Sequence, residues 1–341
     1  MRSRLKQEDK ARLKVLFIAK HAMSDGSRDE EDGDHAVYHC HVRDTLRGLG
    51  LDLEIANSAA ALHDKPRVDF VFSLLNRAGY FNSEMAIPLL CEQHRLAYLG
   101  ASPIQRGLAD DKHLMKRAAR SRGVKTADWV VIRRHQPLEL PAGFPQSDLI
   151  VKPNASSASW GIRHVHSVEE LWDAVRYLHD QGHDAIIEPF MEGIDIELPV
   201  IAGPQPQFLP LMRFDHDPQA IRYYEEKRGL AESAAKLVQE LDQDVIDRAQ
   251  EMSAPLVAEL FPFDYGRFEM RYNEATGEIS FLEVNIQCNI WEPRVLGSSA
   301  RLAGLSYPDL LETIIAHSML RQGVVDAIET EETEPLEIAA V

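Results

Sequence analysis

Asp264-Tyr265-Gly266-Arg267-Phe268-Glu269-Met270-Arg271-Tyr272-Asn273-Glu274-Ala275-Thr276-Gly277-Glu278-Ile279-Ser280-Phe281-Leu282-Glu283-Val284-Asn285 is the stretch that decides how the rest of the chain is read. Two runs rich in strand formers flank Asn273 to Glu278, whose Asn, Thr and Gly supply turn chemistry, which predicts a β-hairpin. With the turn centred near Thr276, side chains alternating with period two put Glu269 opposite Glu283 and Arg267 opposite Asn285, all on one face. Directly opposed carboxylates destabilise a sheet unless a cation lies between them, and two Glu with an Asn amide are hard oxygen ligands suited to Mg2+. Glu269, Glu283 and Asn285 are therefore candidate metal ligands. An exposed hairpin with solvated acids is the competing reading for any one of them. It weakens because Ile279, Phe281, Leu282 and Val284 make the second strand apolar on both faces, which implies burial.

Upstream, a predicted strand over Asp148 to Lys152 runs into Pro153 to Ile162, a loop of small residues. Such a loop offers backbone N–H groups, hydroxyls and one ammonium to a polyphosphate, with Lys152, Ser156 and Ser157 as candidates. The spacing does not match G-x-x-x-x-G-K-[ST], only Gly161 is glycine, and a Ser-rich surface turn reads equally well in isolation. Ala185 to Met191 and Ile194 to Ala202 read as buried strands. They offer an adenine an apolar wall and main-chain hydrogen bonds, with Asp195 placed for a ribose, or they are plain sheet core. A helix opening at Asp110 with acids in its first turn and ending near Gly123 carries Lys112. Ser167 to Asp180 is an amphipathic helix with a capping box. Residues 204–231, rich in Pro, Gly and charge, read as a solvent-facing loop holding Tyr223 to Gly229. Helices over Asp244 to Leu260 and Tyr307 to Leu320 flank the hairpin.

The first hundred residues give a β-α-β-α-β rhythm, with strands at Lys14 to Lys20, Val68 to Leu75 and Leu96 to Leu99, and so a small parallel sheet. Ligands lie beyond the carboxyl ends of such strands, here Ser24–Asp34 and Asn76–Ser83. His35, His39, Cys40 and His41 have zinc-ligating chemistry but no second ligand pair at a zinc-like spacing, so they read as exposed or hydrogen-bonded groups. A length of 341 residues accommodates two or three subdomains, and 37 basic against 54 acidic residues give a net charge of −17. That balance excludes a nucleic-acid backbone or an anionic membrane as main partner. Cys40, Cys91 and Cys288 are widely spaced and odd in number, and the longest apolar runs fall short of a membrane span, so a reduced cytoplasmic setting is expected. The fold class is α/β, turning α+β in the later part. The last dozen residues read as an acidic mobile tail.

The order of short motifs then becomes informative: Tyr98-Leu99-Gly100-Ala101-Ser102, Asp111-Lys112, Val151-Lys152-Pro153, Ile187-Glu188 with Gly193, Tyr224-Glu225-Glu226-Lys227, Gly266-Arg267-Phe268-Glu269 and Leu282-Glu283-Val284-Asn285. Over roughly residues 95–320 this order resembles the ATP-grasp superfamily, most closely its D-alanine–D-alanine ligase branch. The resemblance implies a pre-ATP-grasp substrate subdomain over 1–104, a central ATP-binding subdomain over 105–187, a catalytic subdomain over 188–325 and an acidic tail over 326–341. It implies ATP clamped between two of them: Lys112 and Lys152 on phosphates, Glu188 and Met191 framing the adenine through side chain and backbone, Asp195 on the ribose and Lys227 closing over the γ-phosphate. Glu269, Glu283 and Asn285 would bind two Mg2+, with Mn2+ as a substitute, and Arg267 would stabilise an oxyanion. Small-molecule carboxylate and amine substrates are implied as partners, and relatives in this branch are often homodimers.

Departures from that branch concern the substrates. A D-alanine–D-alanine ligase usually carries Gly-Gly-x-Ser-x-Glu after the first strand, a His-Gly pair after the next, and Pro-Gly shortly after the Glu-x-Asn. Those places hold Lys20 to Ser24, Leu75 to Gly79, and Gln287 to Arg294. The expectation is a carboxylate–amine ligase with another substrate pair, in which Arg77 or Arg294 holds a substrate carboxylate or is a surface arginine. The rivals are a genuine D-alanine–D-alanine ligase with a divergent pocket and a non-catalytic nucleotide-binding regulator. Cys288 either lines the pocket or is a buried structural thiol.

Overall fold

A computed structural model of the chain describes residues 1–75, 83–156, 159–228, 230, 232 and 235–333. Four parallel strands make the N-terminal sheet, in the order Asp52–Ala56, Lys14–Ile18, Phe70–Ser73, Ala97–Tyr98. Lys14–Ile18 is central and apolar on both faces because helices cover both sides. The edge strand Asp52–Ala56 was not expected: its acids and half-exposed side chains give no buried run, and parallel pairing to Lys14–Ile18 makes it a strand. Helix His35–Gly48 packs on this sheet, and the closing helix Tyr307–Arg321 shares the same core through Leu310, Ile314 and Met319.

The central sheet is antiparallel, in the order Val130–Ile132, Ala185–Pro189, Leu149–Pro153, Arg163–Val165. Helix Val168–Asp180 lies on it. Ser167 Oγ accepts from Glu170 N–H at 3.2 Å, while the Glu170 carboxylate accepts from His166 N–H at 2.7 Å, one residue earlier than the capping-box pattern.

The C-terminal sheet is also antiparallel and runs Lys236–Gln239, Met212–Asp215, Ile194–Ala202, Tyr265–Asn273, Glu278–Asn285, with Pro206–Phe208 added against Ile194–Ala202. This corrects the reading of 204–231 as a loop, since the stretch contributes two strands, the second of which buries Met212 and Phe214. Gly193 starts the long strand at φ +138, where a Cβ would stand 2.3 Å from the Tyr272 carbonyl oxygen, so only glycine fits.

Two further expectations are corrected. The helix expected from Asp110 begins at Lys112 and runs to Ser121, with no acid in its first turn and Asp111 capping it by accepting from Leu114 N–H at 2.9 Å, and a separate helix, Pro103–Asp110, precedes it. Their Ala109, Met115 and Ala119 pack in the core of the C-terminal sheet, so the boundary drawn at 105 does not follow the cores. Within the stretch read as a tail, Glu329–Glu331 pairs antiparallel with Arg2–Arg4 and ion-pairs through Arg2 and Glu331; residues 334–341 lie outside the described ones. Buried Asp264 ties the units together, accepting from Gly100 N–H at 2.6 Å, Ser318 Oγ at 2.6 Å and Arg321 Nη2 at 2.9 Å. Among the described residues, no helix is long and apolar enough to cross a membrane.

Candidate active site

The hairpin pairs Glu269 with Glu283 and Arg267 with Asn285 as expected, although its turn closes with Asn273 opposite Glu278, one residue off a turn centred at Thr276. A shift between Glu269 and Met270 makes Met270 the partner of Phe281 and leaves Leu282 unpaired. This bulge was not foreseen, and it explains the apolar run. Ile279 and Phe281 face the core, the extra residue resets the alternation, and Val284 and Ile286 return to that core. Leu282, Glu283 and Asn285 then face the cleft with Arg267, Glu269 and Arg271.

Two cavities meet there. The larger, about 420 Å³, reaches the carboxyl ends of the N-terminal strands; the smaller, about 110 Å³, lies between the central and C-terminal sheets. Lys112, Ser156, Arg222, Lys227, Glu269 and Glu283 line both. Lys112 Nζ stands 3.0 Å from Glu283 Oε2 and donates to the Ser156 carbonyl at 3.0 Å. Burial works against ionisation of Glu283, but Lys112, Lys152 and Lys227 outweigh it and hold the carboxyl at about 2. Lys227, on the short helix Tyr224–Arg228, lies 3.9 Å from Glu269 Oε2. The Asn285 amide donates to Glu269 Oε1 at 2.6 Å, and Arg267 donates to the same oxygen. Two carboxylates and an amide oxygen gathered on one face, with three lysines beside them, are a donor set that fits Mg2+.

Other expected residues are placed more mixedly. Lys152 and Glu188 line the smaller cavity, yet their charged ends meet each other at 3.0 Å, and the second Glu188 oxygen faces buried Lys116 at 3.2 Å. Met191 is also there, with its carbonyl accepting from Arg271 Nε at 3.0 Å. Asp195 lines the same cavity and is ion-paired to Arg271 at 2.7 Å; burial opposes that charge, and Arg271 with Lys227 and Arg222 keeps the carboxyl below its ordinary range. Arg294 lines the larger cavity rather than the outer surface. Arg77 and Ser157 lie outside the described residues. His39 is buried and accepts from His21 N–H at 3.3 Å, His35 lines the larger cavity, and His41 accepts from Trp291 Nε1 at 3.1 Å. Cys288 both is buried and lines the larger cavity.

Several groups in the cleft were missed. Arg271 and Glu197 were legible: each lies two residues along its strand from a residue already placed on the cleft face, Glu269 and Asp195. Lys116 lies one helical turn after Lys112. Arg222 carried no local signal.

Residues 119–316 match the family D-ala D-ala ligase C-terminus. The chain belongs to this family. Ligase A of Bacillus cereus, a D-alanine–D-alanine ligase, is 26% identical over 258 residues, covering 74% of this chain and 81% of that protein. The D-alanine–D-alanine ligase of Ralstonia pickettii is 27% identical over 277 residues, 81% of this chain and 83% of its own. Among solved structures, the D-alanine–D-alanine ligase of Bacillus anthracis complexed with ATP superimposes with a TM-score of 0.70 at 20% identity, over 91% of this chain and 99% of that one. The VanG D-Ala:D-Ser ligase of Enterococcus faecalis gives 0.67 at 15% identity, over 90% and 99%. The fold is therefore ATP-grasp, and the chain is a ligase-family enzyme of the carbon–nitrogen bond-forming class.

Proposed function

We propose that this ligase-family chain uses ATP to activate a substrate carboxylate and joins it to an amine, on a pair other than two D-alanines. The observation that carries the reading is the shared wall: the same lysines and hairpin acids line a small, partly apolar cavity and a larger polar one. A triphosphate tail entering from the first and a carboxylate entering from the second meet beside Lys112, Lys227 and Glu283. The carboxylate takes the γ-phosphoryl group, the acyl phosphate is attacked by the amine, and the tetrahedral intermediate collapses to an amide and phosphate, with ADP as the other product.

No nucleophilic side chain is needed, since two anions must be brought together and their charge offset. Lys112, Lys152, Ser156 and Ser157 hold phosphates, and Lys227 closes over the reacting one. Glu188 and Met191 frame the adenine and Asp195 takes the ribose, the two carboxylates turning from their present cationic partners. Arg267, raised above its ordinary pKa by Glu197 and Glu269 against the opposing effect of burial, stays charged beside the developing oxyanion. Glu269, Glu283 and Asn285 would hold two Mg2+, or Mn2+, which neutralise phosphate charge when bound.

The substrate part of the reading is supported by the far wall of the larger cavity. Lys20, His35, His39 and Arg294 line it, and Lys20 and Arg294 belong to stretches that depart from the ligase signatures. An ADP-release screen over pairs of carboxylates and amines, with mass detection of product, tests it. A pair other than two D-alanines should give the largest ADP release. Strong stimulation by D-alanine alone would return the chain to a genuine D-alanine–D-alanine ligase, and absence of Mg·ATP binding by titration would remove the ligase reading.

A further inference from the structure

Four arginines line the larger cavity: Arg106, which is closed off by Glu84, and Arg222, Arg267 and Arg294. Arg267 Nε and Arg222 Nη1 share one buried carboxylate, Glu197, at 2.7 and 3.3 Å. The Arg222 guanidinium carbon also lies 3.3 Å from the centre of the Phe214 ring, so this side chain is clamped from two sides. Arg294 reaches Asp34 only at 3.8 Å, and Asp34 is already held by Arg28 Nε at 3.0 Å. Burial, with Arg222 and Arg267 nearby, brings Arg294 below its ordinary pKa although Asp34 opposes it.

Like charges gathered in a cavity are costly unless an anion joins them. Arg267 has a second carboxylate in Glu269, whereas Arg222 and Arg294 each share their acid, Glu197 and Asp34, with a guanidinium that lies nearer to it. Several other acids of the lining face cations of their own. Glu269 is a candidate metal ligand that also faces Lys227, Asp32 is paired with Lys20, and Glu84 with Arg106 at 2.9 Å.

We propose that the amine substrate is an amino dicarboxylic acid, its two carboxylates held by Arg222 and Arg294. This rests on the ligase reading given above. The planar guanidinium fork matches a carboxylate bidentately, and two such forks fixed on different elements, one before the short helix Tyr224–Arg228 and one capping helix Val295–Leu302, select for two carboxylates. The donor carboxylate is consumed at the phosphate, so the anions that persist through the reaction belong to the amine substrate.

The test is ADP release with aspartate and glutamate against asparagine, glutamine and alanine as amine substrates, in both chiralities and across the donor panel. The dicarboxylates should exceed their amides by on the order of a hundredfold in kcat/KM, as expected when a built polar site is left unpaired. Arg294→Met should narrow that ratio to within about threefold, mainly through KM, and Arg222→Met should do the same. Amides used as well as acids, acidic compounds accepted only as carboxylate donors, or variants that slow acid and amide alike would each overturn the proposal.

A second measurement separates it from the ligase reading. Aspartate and glutamate are titrated into protein saturated with Mg2+ and a non-hydrolysable ATP analogue. Binding at least about tenfold tighter than that of the amides, lost in either variant, supports the dicarboxylate site even if no pair turns over. Equal binding, or none, overturns it while leaving ATP chemistry standing.

Discussion

The smaller cavity has an apolar wall of Ile150, Trp160, Ile162, Phe190 and Leu282, whereas ionisable side chains reach the larger cavity from nearly every element around it. The apolar slot suits a flat aromatic base whose binding is mostly burial. The polar cavity suits small, charged molecules whose binding is mostly pairing. One β-hairpin supplies a wall to both. Its cleft face cannot change for the sake of one cavity without disturbing the other, while the far wall, made of residues 20–39 and 288–294, touches only the larger. The family's nucleotide chemistry and a change of substrate can coexist in one chain for that reason.

The hardest test of this contrast is the shared wall. Glu283→Gln keeps the shape of the side chain and removes its charge, so kcat should fall by at least about a thousandfold at saturating substrates. The melting temperature should stay within about 5 °C, since the loss of the Lys112 pair is partly offset by relief of Glu269. Activity above a tenth of the parent would detach the hairpin from metal binding. Lys227→Ala is expected to cost about a hundredfold in kcat with the KM for ATP moved less than about threefold, because the group acts most when the short helix closes on the transition state. A pure KM effect would make Lys227 an ordinary binding group.

Arg271→Met probes the smaller cavity alone. Arg271 holds Asp195 and the Met191, Pro218 and Ala220 carbonyls, and it does not line the larger cavity. Its loss takes from half-buried Asp195 its nearest cation and leaves His216 at 3.8 Å, which should cost about 2 kcal/mol of stability measured by denaturant titration. Mg·ATP binding should weaken about tenfold as the cavity wall loosens, which titration calorimetry reads. The ranking of amine substrates should not move. If it does, the two cavities are coupled through more than their common wall.

How much of this was legible in the sequence depended on whether the signal was local. The turn and a period of two point to Glu269 opposite Glu283, and the structure has that pair, but it arrives there through the bulge, since the ladder nearer the turn runs one residue off the expected register. The bulge at Leu282 did not follow, because an extra residue in a strand leaves no compositional mark when its side chain is apolar like its neighbours. Met212–Asp215 was hidden among prolines and charges and becomes a strand only by pairing with residues far along the chain, Ile194–Ala202 and Lys236–Gln239. Arg222 is the extreme case. Its place between Glu197 and Phe214 is wholly tertiary, and nothing in Ile221-Arg222-Tyr223 announces it.

The smallest effect is expected at Cys288, which also sits on the wall of the larger cavity. Burial pushes its thiol up to about 12, with Glu197 and Glu269 adding to the rise and Arg267 opposing it. The thiolate is the reactive form, so at pH 8 on the order of one molecule in ten thousand carries it. Iodoacetamide at that pH should leave Cys288 unmodified by peptide mass mapping, and Cys288→Ser should change kcat/KM by less than about threefold. The thiol would then be a small packing group beside Tyr38 and Tyr265 in the same core. Inactivation by the reagent, with protection by substrates, would instead put a nucleophile in the cavity that binds them. The larger cavity could then no longer be described as a place where charge pairing alone would hold reactants, and its contrast with the smaller one would have to be redrawn around covalent chemistry.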